Sequence, residues 1–153
     1  MEQHLTNYQI SVDPGLTCSG VCLWRDGEAQ RFHTYRPNGH NPHEKMKNLF
    51  LLFKDMIRSV EKSSRIMECA IEDIPPFVNP KRQSALFKLA KAAAYIEMAF
   101  VEANIPIKLI KKERRSKEMA KKLASEQTSL VGSQHAYDAF LIGVLAGYSN
   151  VKD

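Results

Sequence analysis

The feature that most constrains the fold is the unequal spacing of the apolar, β-like segments. The first three, at 8–12, 18–24 and 29–35, are separated by short breaks, whereas those at 66–74 and 105–110 each follow a long segment with helical periodicity. Strands with short connections pair antiparallel, and strands joined through a helix add in parallel. The order β-β-β-α-β-α-β-α-α therefore predicts an α/β fold, a five-stranded mixed sheet with helices on both faces.

Four helices complete this prediction. Apolar residues recur at helical spacing from Pro42 onward, along 82–104 and along 134–148, and another helix begins in the basic segment before residue 128. Between the second and third strands, Arg25-Asp26-Gly27-Glu28 predicts a tight hairpin turn, because glycine tolerates a positive φ.

Length and composition restrict the classes of protein that fit. A chain of 153 residues that is 44% hydrophobic predicts one domain, 1–153, with a real core. No stretch reaches 18 uncharged apolar residues, and the N-terminus lacks a secretion-signal pattern, so we expect no membrane span or secretion. Three cysteines (Cys18, Cys22 and Cys69) cannot all pair internally, and two cysteines without a second pair of ligands do not match zinc spacing. Reduced thiols in a cytoplasmic protein are the expectation.

Carboxylates stand at the ends of two apolar strands and on the last helix. Asp13 ends the first strand, where an aspartate can also be only a turn residue. Glu72 emerges from a strand that looks buried, which is costly unless the carboxylate is paired or binds metal, whereas Asp73 points to the opposite face. Asp138 lies among apolar residues, with His135 three residues earlier on the same helix face, although a histidine there is often a surface residue. Together Asp13, Glu72, His135 and Asp138 predict a site that holds divalent metal over a phosphodiester.

Basic residues are concentrated in one segment. Residues 108–122 carry eight basic and two acidic side chains, a net charge of +6, whereas the whole chain carries +5. By itself such a run can be a solvated helix face. Beside a carboxylate cluster it predicts a phosphate-binding surface, and the residues assigned to DNA binding are Lys108, Lys111, Lys112, Arg114, Arg115 and Lys117.

Taken together, these motifs resemble the RuvC-type Holliday-junction resolvases, a branch of the ribonuclease H-like nucleases. The resemblance runs through ISVDPGLTCSGVCLW, AIEDIPPFVNPKRQSALFKLAKAAAYIEMAF and HAYDAFLIGVLAGY. It implies that Asp13 and Glu72 are the first two active-site acids and that His135 and Asp138 are the pair that the C-terminal helix contributes to the active site. Phe77 is the candidate for the residue that wedges into the junction, although it stands later after Glu72 than in cellular members. The compact chain resembles a bacteriophage version.

The resemblance implies a metal-dependent endonuclease that cleaves four-way DNA junctions by paired hydrolysis. Two Mg²⁺ ions per site are expected, with Mn²⁺ tolerated, and Asp13 would bridge both ions. A two-fold junction requires two active sites, which predicts a homodimer. The interface candidate is helix 82–104, through its alanine-rich stripe with Leu86, Leu89, Tyr95 and Phe100. A nuclease for other branched DNA or for RNA–DNA hybrids, and a catalytically silent DNA-binding module, are the alternatives.

Overall fold

The computed structural model of the chain describes residues 5–74, 83–111 and 117–150, without the side chains of residues 83, 117 and 118. The strands are β1 (Thr6–Asp13), β2 (Ser19–Arg25), β3 (Glu28–Tyr35), β4 (Ser64–Glu72) and β5 (Ile107–Ile110). The helices are α1 (Pro42–Glu61), α2 (Gln83–Glu102), α3 (Lys117–Gln127) and α4 (Gln134–Leu145). This is the order that the sequence predicts.

The strands form one mixed sheet in the order β3-β2-β1-β4-β5. The first three strands pair antiparallel, while β4 runs parallel to β1 and β5 runs parallel to β4. The predicted five-stranded mixed sheet is therefore confirmed. Because β1, β4 and β5 are parallel, their C-terminal ends meet at one edge of the sheet, which we call the C-terminal edge.

Each face of the sheet has its own apolar core. Ile10, Val12 and Ile71 point to the face covered by α1 and α2, and the alternate residues point to the face covered by α3 and α4. Side chains alternate along a strand, so Asp13 and Glu72 both belong to the α4 face. The alternation inferred from the sequence therefore brings both strand-terminal acids under the helix that carries the remaining two candidates.

Several element ends differ from the predicted positions, and each difference has a local cause. Strand β5 begins at Ile107 because Pro106 has no N–H to donate, although its carbonyl accepts a hydrogen bond from Cys69 N at 2.9 Å. Helix α4 ends at Leu145 because Gly147 adopts a φ of +86°. Tyr148 N then donates to Gly143 O, and Gly147 N donates to Val144 O, which is the Schellman motif. The predicted hairpin turn has positive φ at both central residues, Asp26 and Gly27, as a type I′ turn requires.

Helix α2 divides its apolar residues between the core and the surface. Ile96 and Phe100 are fully buried against the sheet, so the expectation that Phe100 belongs to a subunit interface is wrong. Leu86 and Leu89 are half-buried, while Tyr95 is exposed. The large apolar side chains that α2 presents to solvent are Phe87, Tyr95, Met98 and Val101.

Two further expectations from composition concern thiols and membranes. Cys18, Cys22 and Cys69 are all buried and unpaired, and burial raises the pKa of each thiol. Within the described ranges, no helix combines the length and the apolarity needed to cross a bilayer.

Candidate metal and nucleic-acid site

Three of the four predicted ligands converge at the C-terminal edge. Asp13, His135 and Asp138 each offer one ligand atom, and these atoms all lie within 4.8 Å of one another. Nδ1 of His135 lies 3.1 Å from Oδ2 of Asp13. Asp13 and Asp138 are only 7% and 5% exposed, whereas the His135 side chain is 45% exposed. Two nearly buried carboxylates this close together are costly unless a cation or hydrogen-bond donors stabilise them.

Helix α4 reaches this position because the sheet lets it approach closely. Gly20 is the cross-strand partner of Asp13, and the backbone carbonyl of His135 occupies the space that a Cβ at Gly20 would need. Further along the helix, Ser11 Oγ donates to Ala139 O at 2.6 Å and accepts from Trp24 Nε1 at 2.9 Å. A buried hydrogen-bonded chain therefore holds α4 on β1, the strand that carries Asp13, and on its neighbour β2.

The first turn of α4 is fixed to β3 as well. Ser133 caps the helix by accepting from Ala136 N at 3.2 Å, and its hydroxyl lies 2.6 Å from Thr34 Oγ1. Thr34 is in turn the cross-strand partner of Gly20. Thr34, Gly20 and Asp13 thus form a row across three strands, and the start of α4 lies over this row. Its contacts with the row fix the position of His135.

Gln134 is a site residue that the sequence reasoning missed. Its amide Nε2 donates to Oδ1 of Asp138 at 3.1 Å, and its side chain lines the same cleft as the four candidates. Residues four apart face each other on a helix, so the spacing of Gln134 and Asp138 was the available signal. The contact restricts the orientation of the Asp138 carboxylate.

Glu72 lies in the same cleft but outside the close group of three. It ends β4 beside β1, whose Val12 pairs with Ile71, so its carboxylate enters the cleft from the neighbouring strand. Asp73 does not line this cleft. Its charge acts instead on the other face, where burial first and the Asp73 carboxylate second raise the pKa of Glu97. The two adjacent acids therefore lie in different environments: Glu72 lines the cleft, and Asp73 lies near Glu97 of α2.

The donor set fits a hard divalent cation. Three carboxylates and one imidazole converge from two parallel strands and a helix, and oxygen-rich sets with one nitrogen suit Mg²⁺ or Mn²⁺. The cleft has a volume of about 710 Å³, and residues 14–18 also line it. It is large enough to admit a phosphodiester beside the carboxylates.

The side of this cleft formed by α1 and α2 carries lysines that the sequence did not single out. Lys45 at the start of α1 and Lys88 near the start of α2 line it, together with His40. Lys45 lies between Glu44 and Lys47, and Lys88 is one of two lysines in the first half of α2, so the sequence contains no pattern that distinguishes either from other surface lysines. Only the fold reveals that both line the same cleft as the carboxylates.

The predicted DNA-binding residues have different positions. Lys111 is exposed and directly follows Ile110, the residue paired with Glu72, so it emerges at the C-terminal edge. Lys108 instead donates to Ala146 O at 3.1 Å, at the C-terminal end of α4. At 1.5 Å per residue, that point lies about 16 Å along the helix from His135. Phe77, Lys112, Arg114, Arg115 and the side chain of Lys117 lie outside the described residues.

Comparisons with known proteins connect this site to a fold. No protein-family model matches the chain, and no curated protein matches its sequence. Among solved structures, Thermus thermophilus RuvC is similar with a TM-score of 0.71, 13% identity and coverage of 92% of this chain and 93% of that one. The T. thermophilus RuvC structure in complex with a Holliday junction substrate has a TM-score of 0.69 and 16% identity, with coverage of 95% of this chain and 94% of that one. The yeast mitochondrial Holliday junction resolvase has a TM-score of 0.57 and 10% identity, with coverage of 91% of this chain and 78% of that one. The chain therefore has the RuvC fold of the ribonuclease H-like class.

Proposed function

We propose that this protein is a metal-dependent endonuclease that cleaves branched DNA, with four-way junctions as its preferred substrate. The observation that carries the proposal is the convergence of Asp13, His135 and Asp138, with Glu72 in the same cleft, at the C-terminal edge of the sheet. The fold shared with RuvC, including the form bound to a Holliday junction, supports DNA as the substrate.

The site residues would divide the work of phosphodiester hydrolysis. Asp13, Glu72, His135 and Asp138 would hold two Mg²⁺ ions, which supply activation of water and stabilisation of the leaving oxygen. Asp13 is central because it contacts His135 directly and lies on the strand between β2 and β4. Gln134 would keep the Asp138 carboxylate oriented, and Lys111 would hold a phosphate outside the cleft.

Cleavage of defined substrates tests the proposal. Labelled four-way, Y-shaped and RNA–DNA hybrid substrates are incubated with the protein in Mg²⁺, in Mn²⁺ and with a chelator. We expect paired nicks in the four-way junction that require metal. Preferential cleavage of the hybrid would indicate a different nuclease of the same fold. Binding without metal-dependent cleavage of any substrate would identify a DNA-binding module and contradict the proposal.

The role of His135 gives a sharper prediction. His135→Asp should retain cleavage within about tenfold of wild type, since a carboxylate can replace the imidazole as a ligand for Mg²⁺. His135→Ala should lose at least about 10–100-fold in metal affinity or rate, because removal of even an outer-shell partner of a metal ligand has an effect of that size. Isothermal titration with Mn²⁺ and single-turnover cleavage measure the two effects. If the alanine variant matches wild type in both, His135 is an ordinary surface histidine.

Paired cleavage of a two-fold junction further leads us to propose a homodimer. Phe87, Ala90, Ala94, Met98 and Val101 recur at spacings of three or four along the exposed side of α2 and form an apolar stripe. Exposed apolar side chains in a continuous row are typical of protein interfaces. This stripe replaces the predicted contribution of Phe100, whose side chain is used in the core.

Met98→Glu tests the dimer. In an isologous dimer, each copy would bring a buried charge to the interface, so the dissociation constant of the dimer should rise. Each 1.4 kcal/mol of lost contact energy raises that constant about tenfold. Sedimentation velocity over a concentration series measures it. Leu51→Glu, on the exposed side of α1, is the matched control. A monomeric wild type, or equal effects of both substitutions, would remove α2 as the interface.

The buried, unpaired thiols support the expectation that the protein works in a reducing compartment such as the cytoplasm. For a phage-encoded version, this compartment would be the cytoplasm of the bacterial host.

A further inference from the structure

The two walls of the cleft carry opposite charges. One wall holds the carboxylates of Asp13, Glu72 and Asp138, and the other presents Lys45, Lys88 and His40. Within the described part of the chain, neither lysine forms a salt bridge. A cleft with separated charges of this kind suits a ligand that meets cations on both sides: metal ions on the acidic wall and ammonium groups on the other. A polyanionic strand is such a ligand.

Local structure explains why the start of α1 presents a cation rather than an acid. Asn41 caps the helix by accepting from Glu44 N at 2.9 Å, and Pro42 occupies the first turn. Glu44 turns back, and its Oε2 accepts from His40 N at 2.7 Å. The Glu44 carboxylate is therefore used by the turn and does not line the cleft, whereas the next residue, Lys45, is half-buried and does.

The basic wall continues into a second cavity. This cavity of about 560 Å³ shares Pro42 and Lys88 with the cleft, and Lys91 and His43 also line it. None of the described residues that line it is acidic. Among the residues in the described part of the chain, the path across Lys45 and Lys88 to Lys91 thus has no acidic side chain on this side. We call Lys45, Lys88 and Lys91 the basic groove.

The charge arrangement defines what the groove can do for a bound strand. A phosphodiester positioned at the carboxylates brings its neighbouring phosphates with it, and these would face a buried negative cluster unless cations were close. Metal ions on the acidic wall would compensate the charge only at the reacting phosphate. Lysines on the opposite wall supply the charge for the next phosphates, without reading the bases.

We propose that the basic groove binds the backbone phosphates immediately next to the cleaved bond, and that Lys45 and Lys88 are its principal contacts. The inference rests on the proposed function. It assigns the path of the cleaved strand to the starts of α1 and α2, in addition to the segment after β5. Lys45 and Lys88 are binding and positioning residues that hold the strand, so their loss should weaken substrate binding more than the chemical step.

Salt titration in an uncleaving background tests the groove. Asp13→Asn protein is titrated with an immobile four-way junction over a range of salt concentrations, with and without the added pair Lys45→Ala and Lys88→Ala. Each lost phosphate contact should reduce the log–log salt slope by about 0.7–0.9, so the pair should reduce it by about 1.4–1.8. The control pair, Lys47→Ala and Lys62→Ala, removes the same charge from exposed lysines outside both cavities and should leave the slope unchanged.

A modified substrate locates the contact. Neutral methylphosphonate linkages are placed at the phosphates flanking the nick mapped with wild-type protein. Their effect on binding and that of the double lysine substitution should be non-additive, because both remove the same contacts. Additive effects, an unchanged slope, or an equal loss in the control pair would overturn the groove while leaving the nuclease proposal intact if wild type cleaves. Absence of salt-dependent junction binding by Asp13→Asn would overturn the groove, and together with absence of cleavage by wild type it would overturn both proposals.

Discussion

Asp13→Asn should abolish metal-dependent cleavage while leaving junction binding measurable. The substitution preserves the size of the side chain but removes the charge that the metal ions require. Loss of one preorganised charge-stabilising group costs about 10²–10³ in kcat. Loss of Asp13 should cost more, because its side chain is only 10% exposed, contacts His135 and would serve both ions. Single-turnover cleavage in Mg²⁺ measures the rate, and a mobility shift with the same junction measures binding.

Its neighbouring acids provide the controls. Glu72→Gln should lose cleavage in the same way, whereas Asp73→Asn should retain most of it, because Asp73 does not line the cleft. Glu72 and Asp73 are adjacent, and both substitutions remove one negative charge without a change of shape. A difference between the two variants therefore reports which side chain points into the cleft, not the loss of charge itself. Full activity of Asp13→Asn would remove this residue from the site. Equal losses at positions 72 and 73 would mean that both acids act, contrary to the observed alternation.

The fold was predictable because its signals are local. Short breaks between the first three strands and helical periodicity before the fourth and fifth are enough to specify antiparallel and then parallel pairing. Period-two alternation then places Asp13 and Glu72 on one face, and the spacing of His135 and Asp138 gives one helix face. The convergence of three of these residues within 4.8 Å follows from those two rules and the strand order.

What the sequence could not supply depends on contacts between distant segments. Nothing near Lys45 or Lys88 in the chain indicates that the starts of α1 and α2 face the carboxylates, because that depends on how both helices pack on the sheet. Phe100 was misassigned for a related reason: helical spacing identifies an apolar stripe but does not say which of two stripes meets the core. The sequence likewise could not show that the Lys108 ammonium donates to Ala146 O, at the end of α4 away from His135.

Gly20→Ala should damage the site without altering any candidate ligand. An added Cβ would overlap the backbone of His135, so the start of α4 must move away from β2 and carry His135 and Asp138 with it. Overpacking of this kind costs about 1–3 kcal/mol of stability. For a chain of this size each kcal/mol lowers Tm by about 2–4 °C. A glycine inside a strand already indicates close approach of another backbone, and here that backbone carries the site.

A core substitution in the same strand separates this effect from general destabilisation. Val21 follows Gly20 but points to the opposite face, and Val21→Ala should cost a similar amount, about 1–3 kcal/mol, by leaving a cavity. Wild type and Val21→Ala should both gain Tm when Mn²⁺ is added, because a ligand that binds only the folded state stabilises it. Gly20→Ala should lose that gain and its cleavage activity together. If Gly20→Ala retains the full Mn²⁺ shift, the contact between β2 and α4 does not position the metal ligands, and their convergence must be maintained by the Ser11 and Ser133 contacts further along the helix and at its cap.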